Sequence, residues 1–151
     1  MFSNQALLKP SIGVVLLVFC HSLAGQNSAW ESFARVKFSS KYHADYGMNI
    51  QVPQFDWTIR LLEGKEVTLK GYFVPTDLQT PRSIILSRVP NSSCFFCGGA
   101  GPETVARINF KQAIHKLKTD EILKVKGILK LNDSNYREMS FILEEAEILE
   151  K

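Results

Sequence analysis

Cys94 and Cys97 carry the sharpest chemical signal in the sequence, because two thiols three positions apart can meet at one point. They lie in a glycine-rich segment, residues 92–103, that reads Ser-Ser-Cys-Phe-Phe-Cys-Gly-Gly-Ala-Gly-Pro-Glu. Such a pair can close a disulfide, bind a soft metal ion or take part in thiol–disulfide exchange. One pair is a weaker signal for zinc than two pairs, and the sequence has no second pair.

These three uses of the cysteine pair make different demands on the rest of the chain. A structural disulfide needs only an oxidising compartment and would stiffen the loop. Thiolate pairs select zinc or copper(I), and structural zinc needs four ligands, for which His43, His115 and Glu103 are the further candidates. A catalytic pair usually opens a helix, whereas the glycines and proline of residues 98–102 cannot open a normal one. All three uses stay open at this point.

Phe95 and Phe96 stand between the two cysteines. Large apolar side chains are unusual at the tip of an exposed loop. We therefore expect at least one of them to pack on the domain or to line a ligand site.

Residues 1–25 have the pattern of a cleaved export signal. Lys9 is their only charged residue, and an apolar run over residues 12–19 follows it. Ser22 and Ala24 provide the small residues that signal peptidase needs before a cut after residue 24 or 25. The run is shorter than the ~20 apolar residues that span a bilayer. We therefore expect a periplasmic or secreted protein whose mature form has no membrane-spanning segment.

The composition excludes several classes of protein. A chain of 151 residues that is 45% hydrophobic and 22% charged is typical of one folded domain. A formal net charge of +3 is too small to indicate a nucleic-acid partner. The sequence contains neither a phosphate-binding loop nor a serine-hydrolase motif. These observations favour a binding or accessory protein over an enzyme, with an exported protein or a metal ion as its partner.

The elements that must position the cysteines are mostly strands. Period-two alternation predicts strands over residues 66–74, 83–89, 104–110, 122–131 and 136–149. The alternation slips near Glu144 and Glu145, which indicates a bulge in the last strand. Short helices are predicted over 56–62, between a cap at Asp56 and a stop at Gly64, and over 111–118. Residues 26–54, ambiguous between helix and strand, are expected to form an N-terminal extension packed on a domain of residues 55–151.

Gly71 and Gly127 point to the architecture, since each is an inward-facing glycine in the middle of a predicted strand. A glycine at such a position marks a sharp bend or a close approach of two backbones, and small closed barrels need such bends. Five strands with these glycines in the first and the fourth predict a mainly β protein: an OB-like five-stranded barrel with one or two short helices.

The stretch Leu-Glu-Gly-Lys-Glu-Val-Thr-Leu-Lys-Gly-Tyr-Phe-Val-Pro, residues 62–75, resembles the entry strand of a bacterial family of exported OB-like proteins of unknown function. Val-Pro-Gln-Phe at 52–55 and the cysteine-containing loop are similar to the same family, so the resemblance covers residues 30–149. Some members are associated with zinc-responsive gene sets, which implies a link to metal handling. Many relatives have Cys-x-His in this loop. The present loop has no histidine, so the resemblance implies no set of ligands for it.

Overall fold

The computed structural model describes residues 28–151, and the expected signal peptide at 1–25 lies outside the described residues. Within the described part no helix is long and apolar enough to cross a membrane. The elements follow in the order α1 (Trp30–Phe33), β1 (Lys37–His43), β2 (Met48–Gln54), α2 (Trp57–Arg60), β3 (Glu66–Val74), β4 (Ser83–Ser87), β5 (Val105–Phe110), β6 (Ile122–Leu131) and β7 (Phe141–Glu150).

Five of the strands close a barrel in the order β3-β4-β5-β7-β6, with β6 pairing back onto β3. All neighbours are antiparallel except β5 and β7, which run parallel. The predicted mainly β architecture, an OB-like five-stranded barrel with one or two short helices, is thus confirmed. The remaining strands, β1 and β2, form a separate antiparallel hairpin.

Alternation along the barrel strands places one apolar face inside, as the period-two pattern predicted. In β6 the residues Leu123, Val125, Gly127, Leu129 and Leu131 are buried, whereas the lysines between them lie outside. The N-terminal helix α1 adds Trp30 and Phe33 to the core of the barrel. Phe33 of α1 stacks on Phe141 of β7 with ring centroids 4.0 Å apart.

The two inward glycines lie where backbones crowd together. A Cβ atom on Gly71 would sit 2.4 Å from the carbonyl oxygen of Ser87 on the paired strand β4. A Cβ atom on Gly127 would sit 2.9 Å from the carbonyl oxygen of Glu144 on β7. This crowding is the physical reason for glycine at both positions, and it confirms their inward assignment.

The helix predicted after residue 56 forms as α2, and its cap explains where it begins. Asp56 Oδ1 accepts hydrogen bonds from the backbone N–H groups of Thr58 at 2.9 Å and Ile59 at 3.1 Å. The side-chain hydrogen bond from Thr58 lowers the pKa of the Asp56 carboxyl, with the backbone bond from Ile59 next in weight. Gly64, at φ +74°, ends the turn and donates its N–H to the carbonyl oxygen of Leu129.

The helix predicted over 111–118 is wrong, because this segment is irregular. Ile114 donates its backbone N–H to the carbonyl oxygen of Pro81, in the turn between β3 and β4. The segment is therefore bonded to this turn and does not form the backbone hydrogen bonds of a helix. Lys116 has φ +52°, which a regular helix does not allow. Ile114 and Leu117 still pack against the core, so their apolar spacing reflects burial and not a helix.

The last strand begins at Phe141, five residues later than the predicted start at residue 136. The side-chain amide of Asn132 donates to the carbonyl oxygens of Asn135 at 2.8 Å and Met139 at 3.3 Å, and these bonds hold residues 132–140 as a wide turn. The predicted bulge is confirmed, since Glu145 has φ +53° and the register against β6 shifts between Glu147 and Glu144.

Candidate functional site

The cysteine pair lies in the loop that joins β4 to β5. Three single turns build this loop, at Asn91–Ser93, Phe95–Cys97 and Pro102–Thr104. The carbonyl oxygen of Cys94 accepts the backbone N–H groups of Cys97 at 3.1 Å and Gly99 at 3.2 Å. A Cβ atom on Gly99 would sit 2.7 Å from the carbonyl oxygen of Ser93, so the glycine lets the loop fold back on itself.

The two thiols face each other without a covalent bond. Cys94 is buried and Cys97 is exposed, and their Sγ atoms are 4.0 Å apart. Cys94 Sγ also lies 3.9 Å from Oδ1 of Asn91. The loop therefore places one sulfur inside the fold next to one sulfur at the surface.

The electrostatics of the pair follow from this closeness. The hydrogen bond between the two thiols raises the pKa of the Cys97 thiol above its usual range, and desolvation and the charge interaction with Cys94 act in the same direction. A thiol that serves as a nucleophile has the opposite shift, since it needs a lowered pKa.

Phe95 anchors the loop to the barrel. It packs against a small apolar cluster around Cys94 whose other buried members are Val74, Ile85 and Val105. Phe96 contacts Phe95 edge-on at 5.4 Å between ring centroids and remains 43% exposed. Burial of Cys94 and Phe95 thus orients the loop, and Phe96 and Cys97 are left at the surface.

Phe95 also lines a groove of about 320 Å³ between the barrel and the β1–β2 hairpin. Its other walls come from β2, from the turn at residues 132–140 and from the start of β5, and they include Met48, Ile50, Tyr136 and Met139. The sequence analysis missed these residues, because they come from segments that are far apart in the chain. Met48 and Met139 bring two thioether groups into this groove, and no regular spacing in the sequence indicates that they meet.

The other candidate ligands lie apart from the cysteines. His43, at the end of β1, packs between the rings of Tyr46 and Tyr136, and its Nδ1 is 3.9 Å from a carboxylate oxygen of Asp45. His115 lines a shallow surface beside the turn at residues 79–81. The Glu103 carboxylate lies beside the backbone of Gly101.

Within residues 28–151 no group of three or more His, Cys, Asp and Glu side chains is placed to hold a metal ion. The structure brings the two predicted cysteines together, but it adds none of the candidates His43, His115 and Glu103 to them. This chain can therefore offer a soft cation two protein ligands from the described residues.

The fold and the loop define the class, an OB-like β-barrel protein with one buried and one exposed cysteine in the loop between its second and third barrel strands. No protein-family model matches the chain, and no curated protein matches it. The chain is similar to a crystal structure of a DUF3299 family protein from Pseudomonas aeruginosa PAO1, with 14% sequence identity and a TM-score of 0.46. The alignment covers 66% of this chain and 68% of that chain. At this level of similarity the comparison supports no inference about function.

Proposed function

We propose that this protein is an exported accessory protein that holds a soft metal ion, zinc or copper(I), on Cys94 and Cys97. The observation that carries the proposal is the 4.0 Å separation of the Cys94 and Cys97 sulfurs, which lets one ion contact both. Its location in the periplasm or outside the cell rests on the signal-like pattern of residues 1–25.

The two thiols fit a shared ion. A zinc–sulfur bond is ~2.3 Å long, so one ion can contact two sulfurs up to ~4.6 Å apart. The observed separation of 4.0 Å lies within that limit, and neither side chain has to move far. Thiolate sulfur is the donor that zinc and copper(I) prefer. The bound ion could then be passed to another protein.

An incomplete ligand set agrees with a carrier better than with a structural centre. Structural zinc is enclosed by four protein ligands, whereas residues 28–151 provide no third acidic, histidine or cysteine ligand beside the pair. Cys97 is exposed, so the remaining positions open outward to water or to a partner. A site of this kind can release its ion to a protein that offers more ligands.

Thiol–disulfide exchange is the other chemistry open to the pair, and two observations disfavour it. The accessible thiol is Cys97, and its pKa is raised, which reduces the amount of thiolate at neutral pH. The residue after it, Gly98, has φ +75° and starts no helix whose dipole could stabilise a thiolate.

A pH series tests the metal proposal. Both thiols must lose their protons on binding, so the zinc affinity of the reduced protein should rise as the pH is raised from 5.5 to 8.5. For each proton released, the affinity rises by at most about tenfold over one pH unit. Calorimetric titration at each pH measures the affinity and the number of protons released. A His115→Ala variant is the control and should show the same series, because His115 lies away from the pair. An affinity that does not change with pH would contradict binding by the thiolates.

A further inference from the structure

Residues of α1, β3 and the start of β6, with Arg88 directly after β4, border a groove of about 350 Å³, the Lys70 groove, lined among others by Ser28, Glu31, Lys70, Tyr72, Arg88 and Ile122. We propose that the Lys70 groove binds an organic anion, that is, a carboxylate or phosphate group carried on an apolar body. This proposal is independent of the cysteine pair, and no residue of the pair lines the groove.

Lys70 is the first reason for this proposal. It stands directly across from Lys124 in the β3–β6 register, and like charges placed opposite each other destabilise a sheet. Lys124 is neutralised by Glu150 at 2.8 Å. The next lysine along β6, Lys126, reaches Glu66 at 3.4 Å. In residues 28–151 no carboxylate lies within 4.0 Å of the Lys70 ammonium. Its charge acts on Glu150 only from a greater distance, and Glu150 is bonded to Lys124, so Lys70 can take a further partner.

Arg88 adds a second cation to the same groove. Its backbone N–H donates to the carbonyl oxygen of Thr104 at 2.8 Å, which fixes the residue at the end of β4. Its guanidinium, like the Lys70 ammonium, has no carboxylate within ion-pair distance in the described part of the chain. A guanidinium presents five N–H donors in a planar fork that matches carboxylate and phosphate oxygens.

Ser28 contributes an independent observation. Its hydroxyl oxygen is buried and has no hydrogen-bond partner among the described residues, although it lines the groove. A buried polar group without a partner costs free energy, and a bound ligand oxygen would satisfy it. The groove is thus lined by one hydroxyl without a hydrogen-bond partner and by two cations without an ion pair among the described residues.

The remaining lining residues restrict the ligand. Ile122 is 45% exposed, and with the Tyr72 ring it gives the groove an apolar wall. Glu31 is the one acidic side chain in the lining, against two basic ones, so the groove keeps a net positive charge. A monoanion with an apolar or aromatic body complements this combination better than a bare inorganic ion does. The strand beneath is held in place, because the Trp30 indole N–H donates to the carbonyl oxygen of Lys70 at 2.9 Å.

Two-dimensional NMR titration of the mature chain tests the proposal with three probes: benzoate, phenyl phosphate and inorganic phosphate. We expect both aromatic probes to shift amide signals of residues 70–72 and 88, and phenyl phosphate to bind more tightly than inorganic phosphate. The ranking of benzoate against phenyl phosphate identifies the preferred anionic group. Lys70→Gln and Arg88→Gln should each weaken binding about tenfold through the loss of a charge-assisted hydrogen bond.

Two further variants separate a built site from general electrostatic attraction. Glu31→Gln should strengthen binding, because it removes the one competing carboxylate. Lys130→Gln is the matched control, since Lys130 is an exposed lysine on the outer face of β6, lies outside the groove and forms no ion pair with the residues that the structure describes. The proposal is overturned if none of the probes shifts these signals. It is overturned equally if Lys130→Gln weakens binding as much as Lys70→Gln, which would show diffuse attraction only.

Discussion

A Gly71→Val variant is expected to lose about 3 kcal/mol of unfolding free energy, at the upper end of the usual cost of overpacking a core. The reason is the 2.4 Å between the site of a new Cβ atom and the Ser87 carbonyl oxygen. Because the obstacle is backbone rather than a flexible side chain, β3 and β4 would have to separate at the point where Tyr72 pairs with Ser87. Chemical denaturation of the variant and the wild type measures the loss.

The outward face of the same strand supplies the control. Thr68→Val places a residue of similar shape on β3, where Thr68 pairs with Lys126 and is half-buried. Its effect should lie within about 0.5 kcal/mol, as is usual for surface changes. Gly127→Val, with 2.9 Å of clearance to the Glu144 carbonyl oxygen, should cost about 1–3 kcal/mol. Unchanged stability of both glycine variants would contradict the inward packing of the barrel.

Changing Cys94 and Cys97 together to serine is expected to abolish stoichiometric binding of zinc and copper(I) while the barrel stays folded. The thiolates are the soft donors, and hydroxyl groups do not replace them at neutral pH. Calorimetric titration of the reduced proteins compares the double variant with the wild type, and circular dichroism checks the fold. Metal binding of equal strength by both proteins, or by neither, would remove the proposed function.

Cys94 is buried in an apolar cluster, so its replacement can also cost stability. A single Cys97→Ser variant avoids this difficulty, because Cys97 is exposed and its loss leaves the cluster intact. It should retain the wild-type stability and still lose most of the metal affinity. If only stability changes in these variants, the pair has a structural role.

The barrel could be predicted because the features that indicate it are local in the sequence. Alternation in β6 marks the buried face residue by residue, and the glycines at 71 and 127 mark two places where the backbones of neighbouring strands come close. The cap at Asp56 is equally local, since its partners Thr58 and Ile59 lie within three residues. Each of these features is set by neighbours in the sequence or by the period of a strand.

What could not be predicted depends on partners far away in the chain. The apolar spacing of Ile114 and Leu117 fits either a helix or an irregular segment packed on the core. The hydrogen bond from Ile114 to Pro81 favours the irregular segment, and the sequence gives no sign of this bond. The start of β7 depends in the same way on the side-chain bonds of Asn132.

At the candidate site, the spacing of Cys94 and Cys97 could predict that the two sulfurs meet, and they do. It could not predict that one sulfur is buried and the other exposed, because this follows from packing against Val74, Ile85 and Val105. The Lys70 groove was missed for a similar reason. Arg88 and Ser28 approach Lys70 through the barrel fold, and no sequence spacing indicates this.

The most direct test of the proposed function is the state of the two thiols in the protein purified from the cells that naturally produce it. Intact-mass analysis, thiol titration and metal quantification are applied to one preparation, purified without reductant or chelator. The proposal predicts two reduced thiols, about one equivalent of bound zinc or copper, and thiols that react fully only after a chelator is added. A mass two hydrogens lower, no reactive thiol and no metal would show a loop disulfide between Cys94 and Cys97, and would contradict the proposal.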